Sequence, residues 1–343
     1  MTSPSARPAS TLETERLVRY AHLRPCFNAF VDSRTPGSER KENFTIIGPG
    51  VSENPDQYVH IAQPHGFNIG GARQPPRCVN SQHSHLTAEV FIVHSGRWAF
   101  RSGEGASDGE VIMERGDVVS LPPRMFRGFE NVGDEIGFLF AVLGGDDPGY
   151  VLWAPYVFEA ALTHGLILLE NGRLVDTTLG QTVPSGLKPM TRTSAADIAA
   201  LDRYDSEALR KCVRKQGSTL PSAGSVLAAA GHGVRETPIL GPASDAEGLA
   251  QGAIARLHGF ALRQLDFSRG GAIPAHTRIE EEVLLLHRGT LRVNVDNENV
   301  LLKTGDVLSI PVGARRSFEN TPEGDTTVHV VRRGDLPRAP VFT

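Results

Sequence analysis

At 343 residues the chain is long enough for two domains, each with a sizeable core. Hydrophobic residues make up 40% and charged residues 22%, the composition of an ordinary globular protein rather than a disordered or membrane-spanning one. A net charge of -4 and a pI near 6.3 give no reason to expect nucleic acid or a membrane surface as partner.

The first residues, Met1 to Ala9, are rich in Ser, Pro and Ala with no apolar run behind them, which reads as a disordered lead and not a secretory signal. Ser10 and Glu13 have the capping-box spacing, and Leu17, Val18 and Ala21 follow, so a short helix is expected over Ser10–Leu23. From Asn43 the texture changes to short apolar runs broken by Gly, Pro, Asn and Asp. Phe44–Ile47, Phe67–Ile69, Val90–Val93 and Phe138–Val142 are the clearest. Closely spaced strands of this kind predict a sandwich or barrel over residues 43–150, after a lead and helix over 1–42.

Pro155 to His164, closed by Gly165, reads as a helix. Ser194 to Gln216 reads as one or two more, with a Ser194–Asp197 cap and an Ile198, Leu201, Leu209 stripe. Pro221 to Gly233 is either a linker or a packed alanine helix. Residues 151–250 are therefore expected to be a helical and irregular connection. The strand texture returns beyond them and fills 251–343. Three scattered cysteines, Cys26, Cys78 and Cys212, form no CxxC unit and point to a reducing compartment. No apolar run approaches the roughly 18 residues of a membrane helix, so a cytoplasmic location is expected.

The two strand-rich blocks share one pattern. The first holds His83-Ser84-His85, Glu89 and Gly96, then Gly116-Asp117, Pro122, Arg127 and Asn131. The second holds His276-Thr277-Arg278, Glu282 and Gly289, then Gly305-Asp306, Pro311, Gly313, Arg316 and Asn320. The Glu-to-Gly, Gly-to-Pro and Gly-to-Arg intervals are the same in both, which chance does not readily produce. These residues resemble the two cupin signatures. The resemblance implies an all-β bicupin, two jelly-roll barrels in one chain, with a partial likeness to gentisate 1,2-dioxygenase-like bicupins.

In cupins the metal ligands are the two His and the Glu of the first signature and the His of the second. Here the fourth ligand is Arg127 in the first block and Arg316 in the second, and Arg278 replaces a further His. Arg77 and Arg124 stand where the first block's signature has glycines.

On a strand alternate side chains share a face, so His83 and His85 point the same way, and Glu89 joins them from the next strand. Two imidazoles and a carboxylate suit Fe(II) with open positions, while Mn, Zn, Ni or Co use the same ligands. Arg127 beside them either orients a substrate carboxylate or pairs with Glu89 in a metal-free pocket. His276, Arg278, Glu282 and Arg316 make a poor metal site and are read as a structural ion network.

His94 and His287 lie an odd number of residues after their glutamates and are expected to face away from them. Cys78 is expected to be inert. Phe91 and Phe129 are expected to wall a pocket or to be plain core, and Trp98 and Trp153 to be core. The function expected is metal-dependent, dioxygenase-like oxidation of a small oxygenated or aromatic acid in the first block, with Arg127 orienting an anionic group. Two alternatives stand beside it. One is a ligand-binding or scaffold bicupin built on a Glu89–Arg127 pair, and the other is isomerase, lyase or decarboxylase chemistry without O₂. Likeness to cupins also implies a homodimer or higher homo-oligomer.

Overall fold

The computed structural model describes residues 11–321 and 323–343; the expected lead Met1–Ala9 and the cap residue Ser10 lie outside them. The chain forms two compact units. One is Arg24–Thr219, and the other joins residues 11–23 to Leu220–Thr343. The segment expected to connect two barrels is therefore divided between them, and the reason is edge pairing and core packing. Val213 and Arg214 add a short strand beside Val118 and Val119, while Leu209 and Cys212 enter the same core as Phe91 and Trp98. Beyond the division, Leu227 on the helix Val226–Ala230 packs into the core of the other unit.

Of the expected N-terminal helix, Thr11–Glu15 is α-helical and Tyr20–His22 forms a single 3₁₀ turn. Leu17 and Val18 instead pair with Leu308 and Val307. The open edge of the strand Val307–Ile310 offers backbone partners, and tertiary pairing overrides a weak local helix preference. Between 194 and 216 two short helices form, Ala195–Ala199 and Ser206–Arg210, the first closed by the Ser194–Asp197 capping box. Pro155–Thr163 is helical and ends before Gly165, whose φ of 80° suits a residue without Cβ.

The first unit is built from two facing sheets. One has seven strands in the order Val213–Arg214, Val118–Leu121, Glu89–Ser95, Gly137–Gly144, Phe67–Gln74, Glu42–Ile47, Val59–Ile61. The other has five, in the order Leu152–Trp153, Val79–Ser84, Arg127–Asn131, Trp98–Ser102, Gly109–Met113. Inward-facing Phe91, Val93, Phe100, Phe129 and Leu139 fill the space between them. The pairing of Val79–Ser84 with Arg127–Asn131 is broken by a bulge between Arg127 and Phe129. Gly128 sits in that bulge, where a Cβ would lie 2.6 Å from the Asn80 carbonyl oxygen, so only glycine lets these strands approach.

The second unit curls a single ten-stranded sheet around an apolar core of Leu265, Leu284, Leu286, Val293, Phe318 and Val330. Its long strand Phe260–Thr277 pairs with Thr326–Arg333 along its first half and with Arg316–Asn320 along its second. Among the described residues, no helix is long and apolar enough to cross a membrane.

Candidate metal centre

The strand Val79–Ser84 delivers His83 and runs out at His85, and the next strand begins at Glu89. This brings one potential ligand atom of each side chain within 4.8 Å of the others, with all three residues buried. His85 Nε2 lies 3.6 Å from Glu89 Oε2, and the two imidazole centroids are 4.9 Å apart in an edge-to-face arrangement. His83 is anchored from behind. Its Nδ1 lies 2.8 Å from the Ser81 carbonyl oxygen, a contact that requires the proton on Nδ1 and leaves the Nε2 lone pair free. Ser81 is held in turn, its backbone N–H donating to Asp32 Oδ2 at 3.0 Å. Asp32 pairs with the buried Lys41, which also donates to Asn80 Oδ1 at 3.1 Å.

Electrostatics favour unprotonated imidazoles. Burial, and then the nearby charge of Arg127, push His83 down to about 3. The same two causes, with His83 added, hold His85 well below its ordinary value. Burial raises the Glu89 carboxyl, and Arg127 opposes that rise. Burial lowers Arg127 to about 10, so it stays cationic at neutral pH.

The Arg127–Glu89 pair is loose. Arg127 Nη2 stands 3.5 Å from Glu89 Oε2 without hydrogen-bond geometry, and Nη1 donates to the Met125 carbonyl oxygen at 3.2 Å. Arg127 Nε and Nη2, Glu89 Oε2 and His85 Nδ1 are buried without a hydrogen-bond partner. Neutral imidazoles, a nearby carboxylate and unsatisfied acceptor capacity fit a divalent cation.

His83, His85 and Glu89 line a cavity of about 80 Å³. Phe44, Ile69, Phe91, Phe129, Leu143 and Trp153 make up much of its wall. Phe91 and Phe129, expected as wall or core, pack at 5.1 Å between ring centroids and do both. Trp153, expected as plain core, also stands 5.2 Å from the His83 ring. Its indole N–H donates to Glu53 Oε1 at 2.6 Å. Glu53 is itself buried, and its carboxyl is pushed up to about 8 by that burial. Glu53, Lys41 and Asp32 were not legible as site residues, because their spacing carries no metal-ligand signal.

The cupin domain family matches the chain twice, over residues 72–143 and 264–332. Solved structures agree on the fold. Oxalate decarboxylase from Bacillus subtilis is similar at 10% identity and a TM-score of 0.56, over 99% of this chain and 80% of that one. Oxalate decarboxylase from Lactobacillus farciminis gives 11% and 0.55, over 96% and 88%. Vicilin from hazelnut, Corylus avellana, gives 13% and 0.51, over 93% and 86%. The chain is a bicupin of the cupin superfamily. No curated protein matches its sequence.

The second cupin places its four expected residues together but adds others. Glu282 accepts from Arg332 Nε at 2.7 Å and lies 3.4 Å from Arg278 Nε and 3.8 Å from Arg316 Nε. Arg332 also reaches Glu236 and Glu247, each at 3.2 Å, and Arg278 donates to Glu247 at 3.0 Å. Arg263 lies 3.8 Å from Glu247. All are buried. The arginines hold Glu282 down at about 2 against the effect of burial, and His276, pushed to about 4 mainly by burial, is neutral.

Register shows why the two cupins differ. Glu89 faces Leu143 on the neighbouring strand, whereas Glu282 faces Arg332. Two residues along, Phe91 faces Ala141 and then Gly70, and the matching path from Leu284 runs through Val330 to Arg263. Apolar or absent side chains open the first interior, and arginines occupy the second. His94, on the outward face as expected, is buried against Phe138 and Phe140. His287 is likewise buried, against His329. Cys78 is buried and its thiol raised by burial. Trp98 is core, its indole donating to the Ser95 carbonyl oxygen.

Proposed function

We propose that the first cupin is a metal-dependent enzyme, dioxygenase-like in its chemistry, acting on a small aromatic or oxygenated acid. The observation that carries this reading is the buried His83–His85–Glu89 set with orphaned polar atoms at the end of an apolar cavity. A divalent ion held there, Fe(II) by preference with Mn, Zn, Ni or Co as alternatives, would supply Lewis acidity and open positions for substrate and O₂.

The chain's own residues do the rest. His83, fixed through Ser81 and Asp32, offers its Nε2 in one orientation. Glu89 contributes one negative charge and Arg127 one positive, so a bound dication leaves about two positive charges in a buried site, which favours an anionic substrate. Arg127 Nε has no hydrogen-bond partner among the described residues and Nη2 makes only the loose 3.5 Å contact with Glu89, so Arg127 is the residue to receive a carboxylate. Phe91, Phe129 and Trp153 exclude water and pack against the substrate body.

A second reading, decarboxylation or lyase chemistry without O₂, is favoured by the likeness to oxalate decarboxylases. The apolar wall argues against oxalate itself, which has no apolar part to place there. Fe(II)- and Mn(II)-loaded protein should be assayed for O₂ uptake and CO₂ release on hydroxy-aromatic acids and diketones. Substrate-dependent O₂ uptake that is lost in Arg127→Met supports the proposal. CO₂ release without O₂ uptake supports the second reading, and neither activity overturns both.

A further inference from the structure

Asn43 lies on the strand Glu42–Ile47, apart from the strands that carry His83 and Glu89. Its backbone is fixed by a reciprocal pair of hydrogen bonds with Cys26, at 2.8 and 3.1 Å. Its side chain lines the first cupin's cavity and is only 7% exposed, yet Nδ2 has no hydrogen-bond partner among the described residues. Other polar side chains along the wall are engaged within the protein. Thr45 donates to the Tyr58 carbonyl oxygen at 2.7 Å, Ser52 donates to Gln57, and Asn80 accepts from Lys41. A buried carboxamide left unpaired destabilises the fold, so its retention needs another cause.

Its position supplies one. Asn43 faces Ala72, Ala72 faces Leu139, and Leu139 faces Val93, on the strand that begins with Glu89. Asn43 thus stands at the level of Val93, four residues along from Glu89 and roughly 13 Å of strand away. The wall between the two ends includes Phe91, Phe129, Gly70 and Ala141.

We propose that Asn43 is a specificity-determining residue that hydrogen-bonds a second oxygen-bearing group of the substrate. The substrate class is then two-ended: a carboxylate at the His83–His85–Glu89 end, a hydroxyl or carbonyl at the Asn43 end, and a flat apolar body between. This rests on reading the cavity as the substrate site, and it deepens that reading by naming what lies at the far end.

Calorimetric titration of Zn(II)-loaded protein with benzoate and with 4-hydroxybenzoate tests it. Wild type should bind 4-hydroxybenzoate at least about tenfold more tightly than benzoate. Asn43→Leu should lose that preference while binding benzoate as wild type does, and should melt no lower than wild type. Asn43→Ser, which keeps a short donor, should retain part of the preference. Equal affinities in wild type, no binding of either acid, or a preference kept in Asn43→Leu overturns the proposal. So does a melting temperature lowered by more than about 5 °C, the sign of a structural asparagine. If wild type takes up no Zn(II), the metal-dependent function fails by itself, and the same two acids titrated into metal-free protein read Asn43 through the same ratio.

Discussion

The motif glutamates of the two cupins differ less in their sequence neighbours than in what faces them across the sheet. Glu89 meets an apolar side chain, Leu143, and has a single cation, Arg127, at 3.5 Å. Glu282 meets Arg332, which takes one carboxylate oxygen at 2.7 Å, while Arg278 and Arg316 crowd the rest. A ligand set is therefore defined as much by how few cations crowd its carboxylate as by the ligands themselves.

The comparison breaks most visibly if the second network is not structural. Glu282→Ala leaves Arg278, Arg316 and Arg332 without their shared carboxylate and should cost about 3–5 kcal/mol in urea denaturation. A loss below about 1 kcal/mol would mean that the arginines find other partners.

Glu53 gives the next largest effect, and its sign is set by a carboxyl raised to about 8 when folded. A raised carboxyl contributes stability below its unfolded value near 4.5, and that contribution is lost as pH rises through about 8. Denaturation midpoints should fall over that window with a slope of up to about 1.4 kcal/mol per pH unit, and Glu53→Gln should flatten it.

Arg127→Met sharpens the contrast from the other side. With the cation beside Glu89 removed, metal affinity should rise about tenfold by competition with a chromophoric chelator, while affinity for anionic acids falls. Weaker metal binding would mean that Arg127 is needed to keep Glu89 ionised.

The smallest effect concerns the backbone. Arg77 and Arg124 stand at glycine positions of the signature and hold φ of 62° and 60°, whereas Gly313, the second cupin's counterpart of Arg124, holds 76°. Arg77 is exposed, and Arg77→Gly should stabilise by about 1 kcal/mol. No gain would show that the left-handed conformation costs arginine little at this turn.

Much of this was legible in the sequence because motif spacing reports on local geometry. His83 and His85 share a face through strand parity and Glu89 meets them from the next strand, while the Ser194 cap and the helix before Gly165 are local signals. Arg332 was invisible because it meets Glu282 only through sheet register, and Arg263, Glu236 and Glu247 because they join that network through contacts between residues far apart in the chain. Asn43 and Glu53 were invisible for a related reason. A polar residue in a strand announces itself only when the structure shows which face is buried and what it lacks there. The strand at Leu17 was misread as helix because a free sheet edge elsewhere in the chain decides its conformation.

Metal stoichiometry of protein purified without added metal, measured beside His83→Ala and His276→Ala, tests the asymmetry most directly. The account predicts close to one divalent ion per chain in wild type and in His276→Ala, and less than about 0.2 in His83→Ala. Fewer than about 0.2 ions in wild type, or a loss in His276→Ala that His83→Ala does not show, would contradict it.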